Sequence, residues 1–447
     1  MNWTQVSPTR WERPLTGMEE YFVYIGNHSA SLFNGRQQYT LISRVKVDLN
    51  IPDVESALRH AWKQVRYEEP DVAITLEADK KVYEVLDDAG VERWADETFI
   101  IDRERDSEQL YAIHRTSKPS TLYYLPKSSE LVLHGHHATW DGIGLILFWD
   151  RFFRAVTNPN RDITFGGEHV RLAPGLDDLL GSGTPVTPEK IQKGTDYLMK
   201  YVANLPGIGP PSKSGKAPPG ECHALEYVFN EDTTAAIIKG CKARGISVTT
   251  AVHAAYITVI NKYADPDRKA VRYTSPSEFD VRKRLQPPYN KAAAGNYYIF
   301  VGFSAPLPAS FPELTAALNT YYRTTMTSDP AIFEVQGLMT RGLAKIVQSP
   351  GYHQRPPPSD ALVSSLGVVE NHLQRSYGEN NEVVVEDWKL SCDCIQGMTG
   401  LHVYTFREKL RLVYQFNEAY QDPKDIRMYL EEMEKVLRAE IVGSASA

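Results

Sequence analysis

The sequence predicts an α+β fold in two halves of similar size. Segments with helical spacing of apolar residues alternate with short β-branched runs, as in a fold that mixes helices and sheets. A stretch rich in proline, glycine, serine and lysine spans Pro206 to Pro219, and a new set of elements begins near Cys222. We therefore expect an N-terminal lobe over residues 1–180, a helix and crossover linker over 181–221, and a C-terminal lobe over 222–447.

In the first half, strand and helix patterns alternate along the chain. Short β-branched and apolar runs predict strands, whereas apolar residues three or four positions apart predict helices. The predicted strands are Tyr39 to Val47, Val72 to Leu76 and Leu131 to Leu133, and the predicted helices are Val54 to Tyr67 and Ile143 to Val156.

The second half repeats this mixture after a connecting helix. Thr187 is a suitable N-cap for a helix from Pro188 to Asn204. The further predicted elements are strands at Leu225 to Phe229, Gly400 to Phe406 and Lys409 to Asn417, and helices at Asp232 to Ala243, Thr249 to Tyr263 and Pro423 to Arg438. Only Arg407 and Glu408 separate the last two strands, which predicts that these strands pair.

Composition and charge exclude several classes of function for the protein. The 447 residues carry a net charge of -7, and no region has the basic excess that a nucleic-acid surface needs. The N-terminal segment lacks the pattern of a signal peptide, and Gly144 breaks the longest apolar run near the histidines, so we expect no membrane span. The four cysteines have no framework spacing, and Cys392-Asp393-Cys394 is CxC rather than CxxC. We expect reduced thiols in a cytoplasmic protein.

The segment from His134 to Gly142 combines three histidines, a carboxylate and a terminal glycine. It lies between a predicted strand and a predicted helix, where a rigid scaffold can hold a reactive group. A neutral imidazole is basic near neutral pH and can take a proton from an alcohol or an amine. Because neighbouring side chains of a strand point to opposite faces, we expect one of His136 and His137 to be catalytic and the other to support it.

Two other interpretations of these histidines stay open at this point. They are either strand-end residues that hydrogen-bond the backbone or part of a metal site, because His134 and His136 form an HxH pair that Asp141 could join. The HxHxDH pattern of metallohydrolases is excluded, since Ala138 occupies the position of its aspartate.

The spacing of His136, His137, Asp141 and Gly142 resembles the HHxxxDG signature of a large acyltransferase superfamily. That superfamily contains nonribosomal-peptide condensation domains, plant-type BAHD acyltransferases and chloramphenicol acetyltransferase-like enzymes. The resemblance implies two chloramphenicol acetyltransferase-like lobes, each a mixed sheet flanked by helices, with the active-site tunnel between them. It also implies that His137 is the general base, that Asp141 and Gly142 hold the loop, and that no metal takes part.

Further segments resemble fungal secondary-metabolite acyltransferases of the trichothecene O-acetyltransferase type. In chain order they are Arg13 to Glu19, Phe165 to Glu168, Asp280-Val281-Arg282 and Gly295-Asn296-Tyr297. This resemblance implies that Arg282 forms an ion pair with Asp141 between the lobes. A solvated basic turn over Arg282, Lys283 and Arg284 is the alternative.

Four residues are predicted to contact substrate. Ser365 and Gly367 lie in a Ser-x-Gly stretch whose small residues would let the backbone approach the acyl donor, and a tight turn is the alternative. Asn296 belongs to the Gly-Asn segment, and Trp140 precedes the aspartate, where condensation domains usually have a small residue. The DFGWG motif of plant-type enzymes is missing from the sequence, which argues against the plant branch.

The resulting hypothesis is a standalone acyltransferase. It moves an acyl group, such as acetyl, from acyl-CoA as co-substrate to a hydroxyl of a small-molecule acceptor, and it needs no permanently bound cofactor. One alternative is a condensation-type catalyst that uses an acyl carrier protein as donor and an amine or alcohol as acceptor. Another is a non-acyl cyclase or binding protein that reuses the tunnel, although the intact HHxxxDG residues argue against it.

Overall fold

The computed structural model describes residues 3–77, 79–113, 119–182, 185–213, 218–264, 270–353 and 361–443. Mixed sheets flanked by helices form two lobes within these ranges. Part of the predicted linker, residues 214–217, lies outside the described residues.

The N-terminal lobe is built on a six-stranded sheet, which we call the large sheet. Its strands are, in spatial order, Ser376–Tyr377, Val383–Cys392, Thr40–Leu49, Glu130–His136, Thr121–Leu125 and Phe99–Ile101. All neighbours are antiparallel except the last two strands. The first two strands come from the second half of the chain, so a segment distant in sequence completes this sheet.

Amphipathic helices pack on the large sheet because their apolar residues recur on one face. Trp62 of the helix Val54–Glu68 and Phe148 of the helix Gly142–Thr157 are fully buried, and their rings meet edge to face with centroids 5.9 Å apart. The other helices of this half are Gly17–Leu32, Asp88–Thr98, Ser107–Ile113, Leu176–Leu179 and Pro188–Val202, and the 3-10 helices are Pro70–Ala73 and Glu168–Arg171.

A small four-stranded sheet covers one side of this lobe. Its strands are, in spatial order, Thr4–Gln5, Arg10–Pro14, Lys80–Glu84 and Thr75–Leu76. Buried Glu19 contacts Arg13 at 2.8 Å and Lys81 at 2.6 Å, so charge pairing anchors the helix that carries Glu19 to this sheet.

The C-terminal lobe contains a four-stranded sheet and a two-stranded ribbon. The sheet has the order Ala361–Val368, Thr399–Phe406, Lys409–Asn417 and Cys222–Val228, and the ribbon pairs Arg272–Asp280 with Tyr298–Pro306. The hydroxyl of Tyr273 on the ribbon donates to the carbonyl of Ala361 at 2.7 Å, which joins the two units.

Helices surround this second sheet and the ribbon. The α-helices are Glu231–Ala243, Val248–Tyr263, Phe311–Ser328, Ala331–Gln348, Pro350–His353 and Pro423–Leu437. The 3-10 helices are Arg282–Arg284, Tyr289–Lys291 and Val369–Asn371, and Arg438–Val442 is a π-helix. No helix among the described residues combines the length and apolar content needed to cross a membrane.

Most predicted elements are confirmed to within three residues at each end. The strand predicted at Val72 to Leu76 is wrong over most of its length, because Pro70–Ala73 is a 3-10 helix and only Thr75–Leu76 is a strand. Proline at the first helical position favours the helical turn. The Asp71 carboxylate also accepts a hydrogen bond from the Ala173 N–H at 3.0 Å, a tertiary contact that local periodicity does not report.

The helix after the histidines meets the second half of the chain at Gly144. A Cβ atom at this position would overlap the carbonyl oxygen of Ala293 and lie 3.0 Å from Nη2 of Arg282. The two segments therefore approach more closely than any other residue type would allow.

We expect Gly144→Ala to lower the free energy of unfolding by about 1–3 kcal/mol, because the added methyl group must displace backbone. Urea denaturation followed by tryptophan fluorescence measures this loss. Gly167→Ala is the matched control, since a Cβ there meets no atom within 4 Å. Equal stability of the two variants would contradict the close packing at Gly144.

Candidate active site

The histidine motif lies where the strand Glu130–His136 leaves the large sheet. The Trp140 N–H donates to the carbonyl of His136 at 3.2 Å, which closes a tight turn. Asp141 then caps the next helix, with its Oδ1 accepting from the Gly144 N–H at 2.7 Å. A strand end, a turn and a helix cap thus hold the motif in one conformation.

Asp141, the cap residue, also forms the ion pair that the family resemblance implies. Nη2 of Arg282 lies 3.0 Å from both carboxylate oxygens of Asp141, and both residues are 3% exposed. The same carboxylate accepts from the Tyr297 N–H at 2.8 Å, and the other Arg282 nitrogens donate to Asp280 at 2.7 Å and to the Ala292 carbonyl at 3.0 Å. The ion pair is confirmed, and the alternative of a solvated turn is wrong for Arg282.

His137 is held among aromatic rings at a cavity between the lobes. The Phe22 ring stacks on the imidazole with centroids 4.0 Å apart and 8° between the planes, and the Tyr39 and Tyr298 rings approach it at 6.4 and 6.3 Å. Burial lowers the pKa of His137, an effect that nearby backbone groups and the Asp141 carboxylate offset only in part. The imidazole is therefore neutral at pH 7, which is the form that accepts a proton.

His136 faces the opposite side of the strand. Its Nδ1 accepts a hydrogen bond from the Ala138 N–H at 3.0 Å, and burial lowers the pKa of His136 to about 3. It borders a separate cavity of about 120 Å³ together with Ser120. The structure thus separates the two histidines as the strand alternation predicts, and it gives His136 the supporting position rather than direct access to the main cavity.

The main cavity has a volume of about 280 Å³ and draws its walls from both lobes. Apolar side chains dominate the lining, among them Met18, Phe22, Leu41, Ile143, Phe300 and Leu366. The polar lining residues include His137, Glu278, Ser365, His402 and Gln415. Such a mainly apolar cavity with a few convergent polar groups is typical of a small-molecule site.

The residues predicted to contact substrate differ in whether they line the main cavity. Ser365 lines the main cavity, whereas Gly367 lies at a β-bulge with φ of 71° and is not among the described residues that line it. Gly142, which is predicted to support the loop, also lines the main cavity. The predicted contact for Trp140 is wrong, because its side chain is fully buried in the core and its Nε1 donates to Ser120 Oγ at 2.9 Å. The tight turn before the helix cap directs this large ring inward.

Asn296 lies beside His137 and is 5% exposed. Neither atom of its side-chain amide has a hydrogen-bond partner of good geometry among the described residues. Buried amide groups are normally paired, so this amide is available to the imidazole or to a bound molecule.

The sequence analysis missed three polar residues of the cavity. His402 Nδ1 lies 2.6 Å from Gln415 Nε2, and burial lowers the pKa of His402 to about 4. Burial raises the pKa of the Glu278 carboxyl to about 7. All three lie on strands, where alternation could have marked them as inward-facing polar residues but not as residues of the cavity that His137 lines.

The geometry does not support the metal interpretation of the HxH pair. The Asp141 carboxylate is engaged by Arg282 and by backbone N–H groups, so it is not free to bind an ion. In the part of the chain that the structure describes, the side chains grouped closely enough to hold a metal are Glu221, His223 and Glu418, and none of them lines the main cavity.

Comparisons with known proteins relate the chain to fungal acetyltransferases. No protein-family model matches the chain. The acetyltransferase pigO of Monascus ruber is 27% identical over 99% of this chain and 98% of its own length, and the O-acetyltransferase pigM of the same organism is 28% identical over 99% and 87%. The solved structure of the TRI3 trichothecene 15-O-acetyltransferase from Fusarium sporotrichioides superimposes with a TM-score of 0.82 at 19% identity over 97% of both chains. The chain is an acyltransferase related to these fungal enzymes.

The two-lobed fold is thereby confirmed, and the similarity to fungal acetyltransferases is consistent with the suspected superfamily. The acyltransferase has chloramphenicol acetyltransferase-like lobes that meet at His137. The boundaries at residues 1–180, 181–221 and 222–447 stay predictions, and the large sheet shows that the first lobe also contains Val383–Cys392.

We expect Arg282→Ala to lower the free energy of unfolding by about 3–5 kcal/mol, because it leaves the Asp141 carboxylate buried without its cation. Chemical denaturation of the purified acyltransferase measures the loss. Lys283→Ala is the matched control, since Lys283 is the exposed neighbour of Arg282. If both variants unfolded at the same denaturant concentration, the pair would not have the anchoring role inferred from its geometry.

Proposed function

We propose that this acyltransferase moves an acyl group from acyl-CoA to a hydroxyl of a secondary metabolite, with His137 as the general base. The observation that carries the proposal is a neutral imidazole that borders an apolar cavity between the lobes. The names of the acetyltransferase and O-acetyltransferase relatives support an acetyl group and an oxygen acceptor.

The reaction follows from the position of the base. His137 takes the hydroxyl proton as the acceptor oxygen attacks the thioester carbonyl carbon. The tetrahedral intermediate then collapses, its C–S bond breaks, and the CoA thiolate recovers the proton from His137. The products are an ester and a free thiol, and the imidazole returns to its neutral form. This chemistry needs no permanently bound cofactor.

The surrounding residues position the base and the substrates. Asp141 and Arg282 hold the loop, His136 supports it from the opposite face, and the Asn296 amide beside His137 orients the imidazole. Holding both substrates in one cavity supplies a large part of the rate enhancement, because the reaction becomes effectively unimolecular. The buried free cysteines Cys222, Cys241, Cys392 and Cys394 support a reducing, cytoplasmic setting.

We expect His137→Ala to lower turnover by about a hundred- to ten-thousandfold while the melting temperature changes little, because it removes the base and leaves the ion pair intact. Thiol release from acetyl-CoA and longer acyl-CoAs is measured with a panel of hydroxylated terpenoids and polyketides.

The partly exposed His223 lies outside the cavity, and His223→Ala serves as the control. Full activity of His137→Ala would exclude His137 as the base. Transfer by the folded wild-type protein from a loaded carrier protein, but from no acyl-CoA, would instead overturn the CoA donor.

The pH profile tests the protonation state of the base. The pKa of His137 is lowered from its ordinary value of 6.5 by burial, so the imidazole is active above that lowered pKa and is protonated and inactive below it. We expect kcat/KM to be constant near neutral pH and to fall on the acid side with a midpoint below 6.5. A midpoint above pH 7 would contradict a buried neutral base.

A further inference from the structure

Glu278 is a carboxylate in the wall of a mostly apolar cavity. It lies on the ribbon strand Arg272–Asp280, and its Oε2 is completely buried without a hydrogen-bond partner among the described residues. A buried carboxylate is normally paired with a cation or with several donors. The acyl-transfer mechanism at His137 does not use this group.

Among the described residues, the lining offers no free cation to neutralise Glu278. Arg282 is the one arginine among the described residues that line the cavity, and no described lysine lines it. Each of the three guanidinium nitrogens of Arg282 already donates, to Asp141, Asp280 and the Ala292 carbonyl. Two carboxylates therefore share one guanidinium, and ionised Glu278 adds a further negative charge to the cavity.

Aromatic rings line the same cavity as the Glu278 side chain. Glu278 is directly opposite Phe300 in the ribbon, and Asp280 is opposite Tyr298. The Phe300 ring meets the Tyr201 ring edge to face with centroids 5.3 Å apart. The rings of Tyr201, Tyr298 and Phe300 all line the cavity. Ring faces attract cations, so the rings and the carboxylate favour the same kind of ligand.

The ribbon also relates the position of this carboxylate to that of the His137 imidazole. The Tyr298 ring contacts His137, with centroids 6.3 Å apart. Glu278 belongs to the next pair on the same face of the ribbon, which lies roughly 7 Å further along the strand. A para-substituted benzene with a one-carbon arm at each end spans a distance of this order, which makes it a suitable probe of the two groups.

We propose that the cavity binds an acceptor that carries a basic nitrogen, and that Glu278 pairs with the protonated nitrogen while His137 acts on a hydroxyl of the same molecule. The role of the hydroxyl rests on the proposed acyl transfer, whereas the recognition of the cation does not. Glu278 is accordingly a specificity-determining residue that touches the acceptor.

Two alcohols of equal shape test whether the cavity recognises a protonated nitrogen. The first, para-(dimethylaminomethyl)benzyl alcohol, is a cation at neutral pH, and the second, para-isobutylbenzyl alcohol, replaces the nitrogen by carbon. Dissociation constants are measured by calorimetry near pH 8 without CoA. We expect the wild-type protein to bind the cation about tenfold or more tightly than the neutral alcohol, the factor of one charge-assisted hydrogen bond.

Glu278→Gln keeps the size of the side chain and removes its charge. This variant should lose the preference for the cation and bind the neutral alcohol as the wild-type protein does. Glu379→Gln, at an exposed position, should retain the preference. Equal affinity for the two alcohols in the wild-type protein, no binding of the cation, or a preference that survives in Glu278→Gln would each overturn the proposal.

The wild-type protein supplies a second measurement that does not depend on the variant. Burial raises the pKa of Glu278 to about 7, so the preference for the cation should fall as the pH is lowered from about 8 to about 6. The facing Tyr298, Tyr321 and Tyr322 stay neutral in this range because burial raises their pKa values. Burial also raises the pKa of Asp280, and its ion pair with Arg282 opposes that rise. A preference unchanged over this range would contradict pairing with Glu278.

Acetyl transfer from acetyl-CoA to the same two alcohols separates the two proposals. Preferential binding of the cation without thiol release would support the Glu278 proposal and contradict the acyl-transfer proposal. Thiol release with both alcohols, together with equal affinities for them, would support the acyl-transfer proposal and contradict the Glu278 proposal.

Discussion

The buried ion pair between Asp141 and Arg282 is the interaction on which the active site depends. Removing two charges from water costs several kcal/mol per ion unless hydrogen bonds replace the lost hydration. Here the carboxylate also accepts from the N–H groups of Gly144 and Tyr297, and the guanidinium also donates to Asp280 and to a backbone carbonyl. Because the carboxylate is at the same time the cap of the helix after the histidines, a single residue fixes the loop, the helix and the second lobe.

Burial then determines the chemistry of the cavity. The same desolvation that lowers the pKa values of His137 and His402 raises that of Glu278, because an apolar surrounding disfavours every charged form. It keeps the His137 imidazole neutral, which is the form that the proposed general base requires. It also leaves a carboxyl group whose ionised form needs a positive partner, so one physical cause underlies both the proposed acyl transfer and the proposed recognition of the acceptor.

Local patterns in the sequence were sufficient for most helices and strands and for the strand, turn and helix cap of the histidine motif. The resemblance to a known family supplied the Asp141–Arg282 pair, which no periodicity contains, since the partners are 141 positions apart. Tertiary contacts decided the rest. The segment Pro70–Ala73, most of it predicted as strand, is a 3-10 helix in which Asp71 makes a tertiary contact. The Trp140 side chain lies in the core. Glu278 lines the cavity because its ribbon borders the same cavity as His137.

A double-mutant cycle across the ion pair tests most directly whether it anchors the loop. The free energies of unfolding of Asp141→Ala, Arg282→Ala and the double variant are compared with that of the wild-type protein. Each single variant leaves a buried charge without its partner, so the double variant should lose less than the sum of the two single losses, by about 0.5–3 kcal/mol. Losses that add within experimental error would contradict the account.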